Sequence, residues 1–382
     1  MKETIAFALA LSCVVGVPAL STGGVEPPAP YGPVPTARQI AWHELEIYGF
    51  LHFSINTFTD REWGYGDEKE GLFNPTDFDA GQIAGAVKAG GLKGLILTAK
   101  HHDGFCLWPT KTTPHNITKS PFRNGKGDVV AEMAKACKKQ GLKFGIYVSP
   151  WDRNHPEYGR AGYVKAYHDQ IRELVTNYGS VFEMWFDGAN GGDGFYGGAK
   201  EKRQIDGATY YEWDKVVKII RDAQPGCVIW GMPNADARWG GSEAGVVGDP
   251  CWSAMDLDAG RERFGLGTRD GKVWLPAEAD VSIRPGWFYH ANQDNQVKPP
   301  AKLAEIYLAS VGRGANLILN IPPDRRGRIH DNDIKSLAGF KQWMDGTFGK
   351  NLAAGGKCEA GNVRGNNDRK YGPANLQDDD PW

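Results

Sequence analysis

The chain predicts an α/β fold closed into a (β/α)8-like, TIM-type barrel, and three features of its 382 residues carry that reading. Short apolar runs alternate with stretches of helical periodicity, the βαβα rhythm of a parallel sheet covered by helices. The alternation continues over roughly 300 residues, which favours closure over an open sheet, since such barrels take about 250. Polar and ionisable residues also gather just past successive strand ends, where a parallel barrel builds its active site.

Residues 1–22 read as a secretory signal peptide. Lys2 supplies a weak basic start beside Glu3, residues 5–17 an apolar core, and Val17-Pro18-Ala19 precedes a cleavage site. The apolar stretch is short for a bilayer span, and Ala10-Leu11-Ser12 ahead of Cys13 fits a lipoprotein anchor poorly. The protein is therefore expected to be secreted or periplasmic. Residues 23–37 are a proline-rich, extended linker, and the ordered barrel domain is expected over 38–350.

The first strand is expected over 48–53, followed by a helix over 79–89 and a strand over 92–98. After a long polar loop come a helix over 128–139, stopped by Gly141, and a strand over 142–148. A helix over 162–178 leads to the apolar, aromatic run Val181-Phe-Glu-Met-Trp-Phe-Asp187-Gly-Ala189. That run reads as a buried strand delivering an acid to a cavity. Helices over 210–223 and 303–310 and strands over 227–230 and 316–321 continue the series. Residues 232–300 read as loop, so eight clean repeats do not emerge. The polar, turn-rich segment 351–382 reads as the first strand and loop of an incomplete β-domain.

Lys+Arg 44 against Asp+Glu 46 gives a net charge of −2, with neither the basic field of a nucleic-acid binder nor a long acidic tail. Thirteen Trp suit a cleft that stacks on sugar rings, or a large packed core. Beyond Cys13 there are Cys106, Cys137, Cys227, Cys251 and Cys358, with no Cys-x-x-Cys pair, so no zinc or redox motif arises.

Four strand ends carry the chemistry. The first runs into His52-Phe-Ser-Ile-Asn-Thr-Phe58 and Glu62-Trp63, the second into Lys100-His101-His102-Asp103-Gly-Phe105. The third ends at Tyr147-Val-Ser149-Pro-Trp151-Asp152 and the fourth at Asp187. Adjacent His101 and His102 on a strand point to opposite faces and make a poor metal pair; no metal and no cofactor is expected. Their alternatives are bonds to sugar hydroxyls or one histidine satisfied in the core. Hydrolysis of a glycosidic bond requires two carboxyls. Asp187 supplies the first by its place at a strand end. The second is Glu243, in the glycine-rich run 237–245, or Glu278, in the stiffer run 274–280. For Glu243 the alternative is a solvated loop acid, for Glu278 an ion pair with Arg284.

These motifs, with Ser282-Ile-Arg-Pro-Gly-Trp287-Phe-Tyr-His290, resemble those of the α-L-fucosidases of glycoside hydrolase family 29 across residues 38–350. The resemblance implies a retaining double displacement with Asp187 as nucleophile. The loop of Glu243 resembles that of the branch acting on α-1,3/1,4-linked fucose in branched, Lewis-type glycans, which implies Glu243 as acid/base ahead of Glu278. It also implies a fucose pocket lined by His52, Glu62, Trp63, His101, His102, Tyr147, Trp151 and Trp287. The tail resembles the start of the β-sandwich that follows the barrel in that branch. The rivals are a fucosidase of other or broad linkage preference, a non-catalytic fucose-binding protein, and, more distantly, a metal-dependent hydrolase. The expected partners are fucosylated oligosaccharides or glycoconjugates, with no nucleic acid and no membrane span.

Overall fold

The computed structural model describes residues 29–377. The signal-peptide reading, Cys13 and residues 23–28 of the proline-rich linker lie outside the described residues. Residues 30–349 form one compact unit. It holds eight parallel strands: β1 (Ile47–Leu51), β2 (Gly94–Lys100), β3 (Lys143–Val148), β4 (Glu183–Trp185), β5 (Val228–Trp230), β6 (Arg238–Trp239), β7 (Ala277–Ser282) and β8 (Asn316–Asn320). Each pairs with its sequence neighbour, and β1 pairs with β8, Ile47 opposite Leu317. A parallel bridge from Trp230 to Ala237 joins β5 to the approach to β6 and completes the ring.

Period-two alternation sorts the strand residues into two cores. Leu51, Leu95, Leu97, Ile146, Met184, Ile229, Ala279, Leu317 and Leu319 face outward against the helices. Tyr48, Phe50, Ile96, Tyr147, Trp185, Val228, Trp230 and Ile318 face inward. Branched aliphatic layers commonly fill a parallel barrel. Here aromatic rings do so, accompanied by the buried carboxyls of Glu183 and Glu278.

The helices begin and end where local chemistry directs. Thr36 and Gln39 form a capping box at α1 (Ala37–His43). The Asp79 carboxylate accepts the Gln82 amide at α2 (Ala80–Ala89), and Asp128 does the same for Ala131 at α3 (Val129–Gln140). Gly141 closes α3 with φ +69, a left-handed conformation that glycine adopts without strain. The ring continues with α4 (Ala161–Asn177), α5 (Trp213–Ala223), α6 (Pro300–Ser310) and α7 (Asp331–Phe348).

One expectation changes. The stretch 232–300 supplies two barrel strands, β6 and β7, so the strands number eight, although no α-helix separates β5 from β6 or β6 from β7. β6 has only two residues, too few for alternation to register. The tail, expected to begin a β-domain, shows no strand among its described residues. Residues 364–376 form short helical turns, and Gln377 donates to the carbonyls of Ala353 and Gly356.

One buried ion pair anchors the segment after β7. Arg284 donates to both oxygens of Asp333 at 3.0 and 2.6 Å, both side chains being fully buried, and to Asp294 at 2.9 Å. Replacing Arg284 with Met strands Asp333 without its counter-charge. Urea unfolding is expected to show a loss of about 3–5 kcal/mol; a change under about 1 kcal/mol contradicts this role.

Candidate active site

The residues past the carboxyl ends of the strands surround a cavity of about 110 Å³. Its walls are Phe50, His52, Glu62, Trp63, His101, His102, Trp185, Asp187, Glu243, Asp280 and Trp287. Six of the eight expected binding residues line it, together with Asp187 and Glu243. Tyr147 and Trp151 stand one step behind. The Tyr147 hydroxyl donates to Asp187 Oδ2 at 3.2 Å, while the Trp151 ring packs against Trp63 and His102. Phe50, Trp185 and Asp280 are additions. Each shares inward parity with a residue already singled out: Phe50 with His52, Trp185 with Asp187, Asp280 with Glu278.

Glu278 is placed elsewhere. It is fully buried below the cavity, where its carboxylate accepts from the Tyr48 hydroxyl and from Trp185 Nε1 at 2.8 Å. It does not line the cavity, and its expected alternative partner Arg284 is held by Asp333 and Asp294. The cause is β-strand parity: Glu278 points inward, but two residues before Asp280 and so one layer deeper.

Asp187 lies two residues beyond β4 and is held by both oxygens. Oδ1 accepts the Ala189 amide at 2.7 Å, a turn bond. Oδ2 takes Tyr147 and lies 3.8 Å from His102 Nε2. Glu243 sits on the loop after β6 and accepts from Trp287 Nε1 at 3.1 Å.

Three histidines face this carboxylate-rich wall, and burial lowers the proton affinity of each. His52 is pushed down to about 3, chiefly by burial. His101 falls well below the usual value through burial and then the charges that His102 and His52 would carry. His102 is lowered by burial although Asp187 opposes the fall. All three are neutral at pH 7, and the hydrogen-bond network assigns their tautomers. Asn320 Nδ2 donates to Ser282 Oγ and to the Trp287 carbonyl, so Asn320 Oδ1 must accept from His52 Nδ1–H at 2.9 Å. Ser149 Oγ donates to the Trp151 carbonyl and therefore accepts from His102 Nδ1–H at 2.7 Å. Both rings keep Nε2 as an acceptor. Asn56 Nδ2 approaches His101 Nδ1 at 3.5 Å, which leaves the proton on His101 Nε2. The wall thus offers two acceptors and one donor, a pattern suited to hydroxyl groups.

Glu62 works as a clamp as well as a wall. Its carboxylate accepts the Trp287 amide at 2.9 Å and meets His290 Nε2 at 2.6 Å, fixing the loop after β7. Gly286 permits the approach, since a Cβ there would lie 2.4 Å from Glu62 Oε1. Trp63, 53 % exposed, stands edge-on to His102. Among the described residues no group of three or more His, Cys, Asp or Glu side chains is arranged to hold a metal, and no helix is long and apolar enough to cross a membrane.

The family model for alpha-L-fucosidase matches residues 34–347. The chain belongs to the alpha-L-fucosidase family of glycoside hydrolases. It is 41 % identical to alpha-L-fucosidase 1 of Arabidopsis thaliana over 358 residues, 91 % of this chain and 68 % of that protein. Among solved structures, a glycoside hydrolase 29 family member from an unknown rumen bacterium superposes with a TM-score of 0.85 at 50 % identity. That match covers 87 % of this chain but only 61 % of the rumen protein, so the chain spans less than two thirds of that relative's length. A Ruminococcus gnavus glycoside hydrolase 29 fucosidase, solved in complex with fucose, matches at 32 % identity and TM-score 0.82, covering 94 % of this chain and 77 % of that one. The family match spans the barrel and every wall of the cavity.

The depressed His52 carries a stability consequence for this fucosidase-family barrel. Its folded value of about 3 lies below the unfolded value, so between about pH 6.5 and 3 only the unfolded chain takes up that proton. Stability is held above pH 6.5 and falls as pH drops, at up to about 1.4 kcal/mol per pH unit from this group. Urea unfolding from pH 4 to 7 is expected to show a shallower slope in His52→Gln than in the parent. Equal slopes contradict the assignment.

Proposed function

We propose that this protein is a retaining exo-α-L-fucosidase that removes terminal α-1,3/1,4-linked L-fucose from branched, Lewis-type glycans. The observation that carries the reading is one small cavity in which Asp187 and Glu243 face each other's space across a wall of three neutral histidines. A cavity of this size takes a single sugar ring, which fits removal of a chain end. The fucose held by the Ruminococcus gnavus relative supports the same ligand here.

In this reading His52 and His102 accept from fucose hydroxyls and His101 donates to one. A site built to bond hydroxyls rejects sugars that lack them more strongly than apolar fit alone does. The C6 methyl packs on the aromatic floor and walls. An Asp187 oxygen attacks the anomeric carbon as the bond to the aglycone oxygen breaks, and Glu243 gives that oxygen its proton. The product is a β-linked fucosyl ester on Asp187 and a free acceptor sugar. Glu243, now ionised, takes a proton from water; the water oxygen attacks the same carbon, releases Asp187 and restores the α-anomer. Linkage preference belongs to the loop that carries Glu243, and the secretory-signal reading of residues 1–22 goes with action on glycans outside the cytoplasm.

The test compares fucose release from a Lewis-type trisaccharide and from a 2′-fucosylated disaccharide. The parent is expected to cleave the Lewis substrate preferentially, and Asp187→Ala and Glu243→Ala to lose at least about a thousandfold. Azide added to Asp187→Ala replaces the nucleophile and yields the β-azide. Azide added to Glu243→Ala intercepts the fucosyl-enzyme and yields the α-azide. Equal cleavage of both substrates removes the linkage preference, and no release from either by the parent removes the fucosidase reading.

A further inference from the structure

His290 ties the loop after β7 to the loop after β1 through both of its ring nitrogens. Nε2 meets Glu62 Oε1 at 2.6 Å, and Nδ1 meets Asp60 Oδ1 at 2.8 Å. A neutral imidazole carries one ring proton, so it donates to one of these carboxylates and presents a lone pair to the other. An imidazolium donates to both, and each contact is then a charge-assisted bond. The ring is well covered, its side chain being 12 % exposed.

The charges around the ring come from two sides. Asp60 and Glu62 approach from the loop after β1. Arg325, beyond β8, stands 3.7 Å from Asp60 Oδ1 and donates its Nε to the Thr57 carbonyl. No other charged side chain among the described residues pairs with the ring. Burial lowers the proton affinity of His290, but the bonds to Glu62 and Asp60 and their charges outweigh it, so the net direction is up.

What the ring holds is a wall of the cavity. Glu62 lines it, and its carboxylate accepts the Trp287 and Phe288 amides at 2.9 and 3.3 Å. Trp287 lines it too, and its indole donates to Glu243. Asn320 and Gln293 also hold this loop, at the Trp287 carbonyl and the Gly286 amide. Loss of the His290 contacts is therefore expected to displace Glu62 without unfolding the loop. Neither His290 nor Asp60 lines the cavity.

We propose that His290 is a positioning residue that works as an imidazolium: by donating to Glu62 and Asp60 at once it fixes Glu62 against the loop of Trp287, and the cavity wall loosens when the ring loses a proton. The inference concerns the sugar cavity of the proposed fucosidase, yet the charge on His290 is readable without turnover. Its proton affinity is raised on folding, so the tie is whole below about pH 6.5 and is lost as pH rises through the folded value.

The test joins ring-nitrogen NMR of histidine-labelled protein to the pH dependence of kcat/KM on a dinitrophenyl fucoside. That leaving group needs no proton, so the acid/base does not set the alkaline limb. In the parent, both His290 nitrogens are expected to carry protons at pH 6, with a midpoint above 6.5 that coincides with the alkaline limb. His290→Gln keeps a donor but no charge; it is expected to run about tenfold below the parent at pH 6 and to lack that limb. Asp60→Asn keeps an acceptor but removes one anion, so midpoint and limb are expected to move down by about half a pH unit. A parent midpoint at or below 6.5, or a His290→Gln profile that overlays the parent's, overturns the proposal. If His290→Gln does not fold, a limb in Asp60→Asn that stays or moves up overturns it. A parent inactive on the fucoside removes the fucosidase reading itself, while the ring-nitrogen titration still decides the charge on His290.

Discussion

The carboxylate of Glu278 ties the barrel together at mid-height. It accepts from Tyr48 on β1 and Trp185 on β4, so three strands meet on one buried group. Trp185 then serves as the cavity floor. It stacks on Trp230 at 3.8 Å between ring centroids and on Tyr147 at 5.3 Å, and Tyr147 in turn bonds Asp187. The position of the proposed nucleophile thus traces back, through two aromatic rings, to a carboxylate that never meets the ligand. Burial pushes the Glu278 carboxyl up, and the bonds from Tyr48 and Trp185 oppose that rise. Glu183, beside it, is pushed well above the usual carboxylate range by burial and then by Glu278, and so stays protonated.

An interior built this way sets the chemistry above it. Burial is the chief reason the three histidines of the cavity wall stay neutral, and Arg153 beside His101 and His102 adds to it while Asp187 opposes it at His102. Neutral imidazoles are the useful form for hydroxyl recognition, because each offers one defined donor and one defined acceptor. Which is which follows from backing groups one layer out: Asn320 for His52, Ser149 for His102, Asn56 for His101. Those backing residues lie on β8 or in the loops after β1 and β3, so the recognition pattern is a property of the closed ring and not of any single loop.

Much of this was legible in the sequence because strands write their parity in plain alternation. His52, His101, His102 and Asp187 were found by their position past apolar runs, and each borders the cavity. The misses have physical causes. β6 is two residues long, too short for a pattern. Helix α7 was not read at all, and α1 rests on a capping box rather than a long apolar stripe. Glu278 was set beside Glu243 because composition does not reveal depth. Counting Glu278, Asp280 and Ser282 as one inward row would have placed Glu278 below the cavity and drawn attention to Asp280. The Asn320 node was invisible in another way, since it is assembled from residues as far apart as 52 and 320.

The central claim is that Asp187 attacks the anomeric carbon of a fucosyl group bound in this cavity. Incubation with 2-deoxy-2-fluoro-fucosyl fluoride slows breakdown of a covalent intermediate, and peptide mapping by mass spectrometry then locates the adduct. The account predicts a single fluorofucosyl unit on the peptide that contains Asp187, lost in Asp187→Ala. An adduct on any other carboxyl, or inactivation-free turnover with inversion at the anomeric carbon, would contradict it.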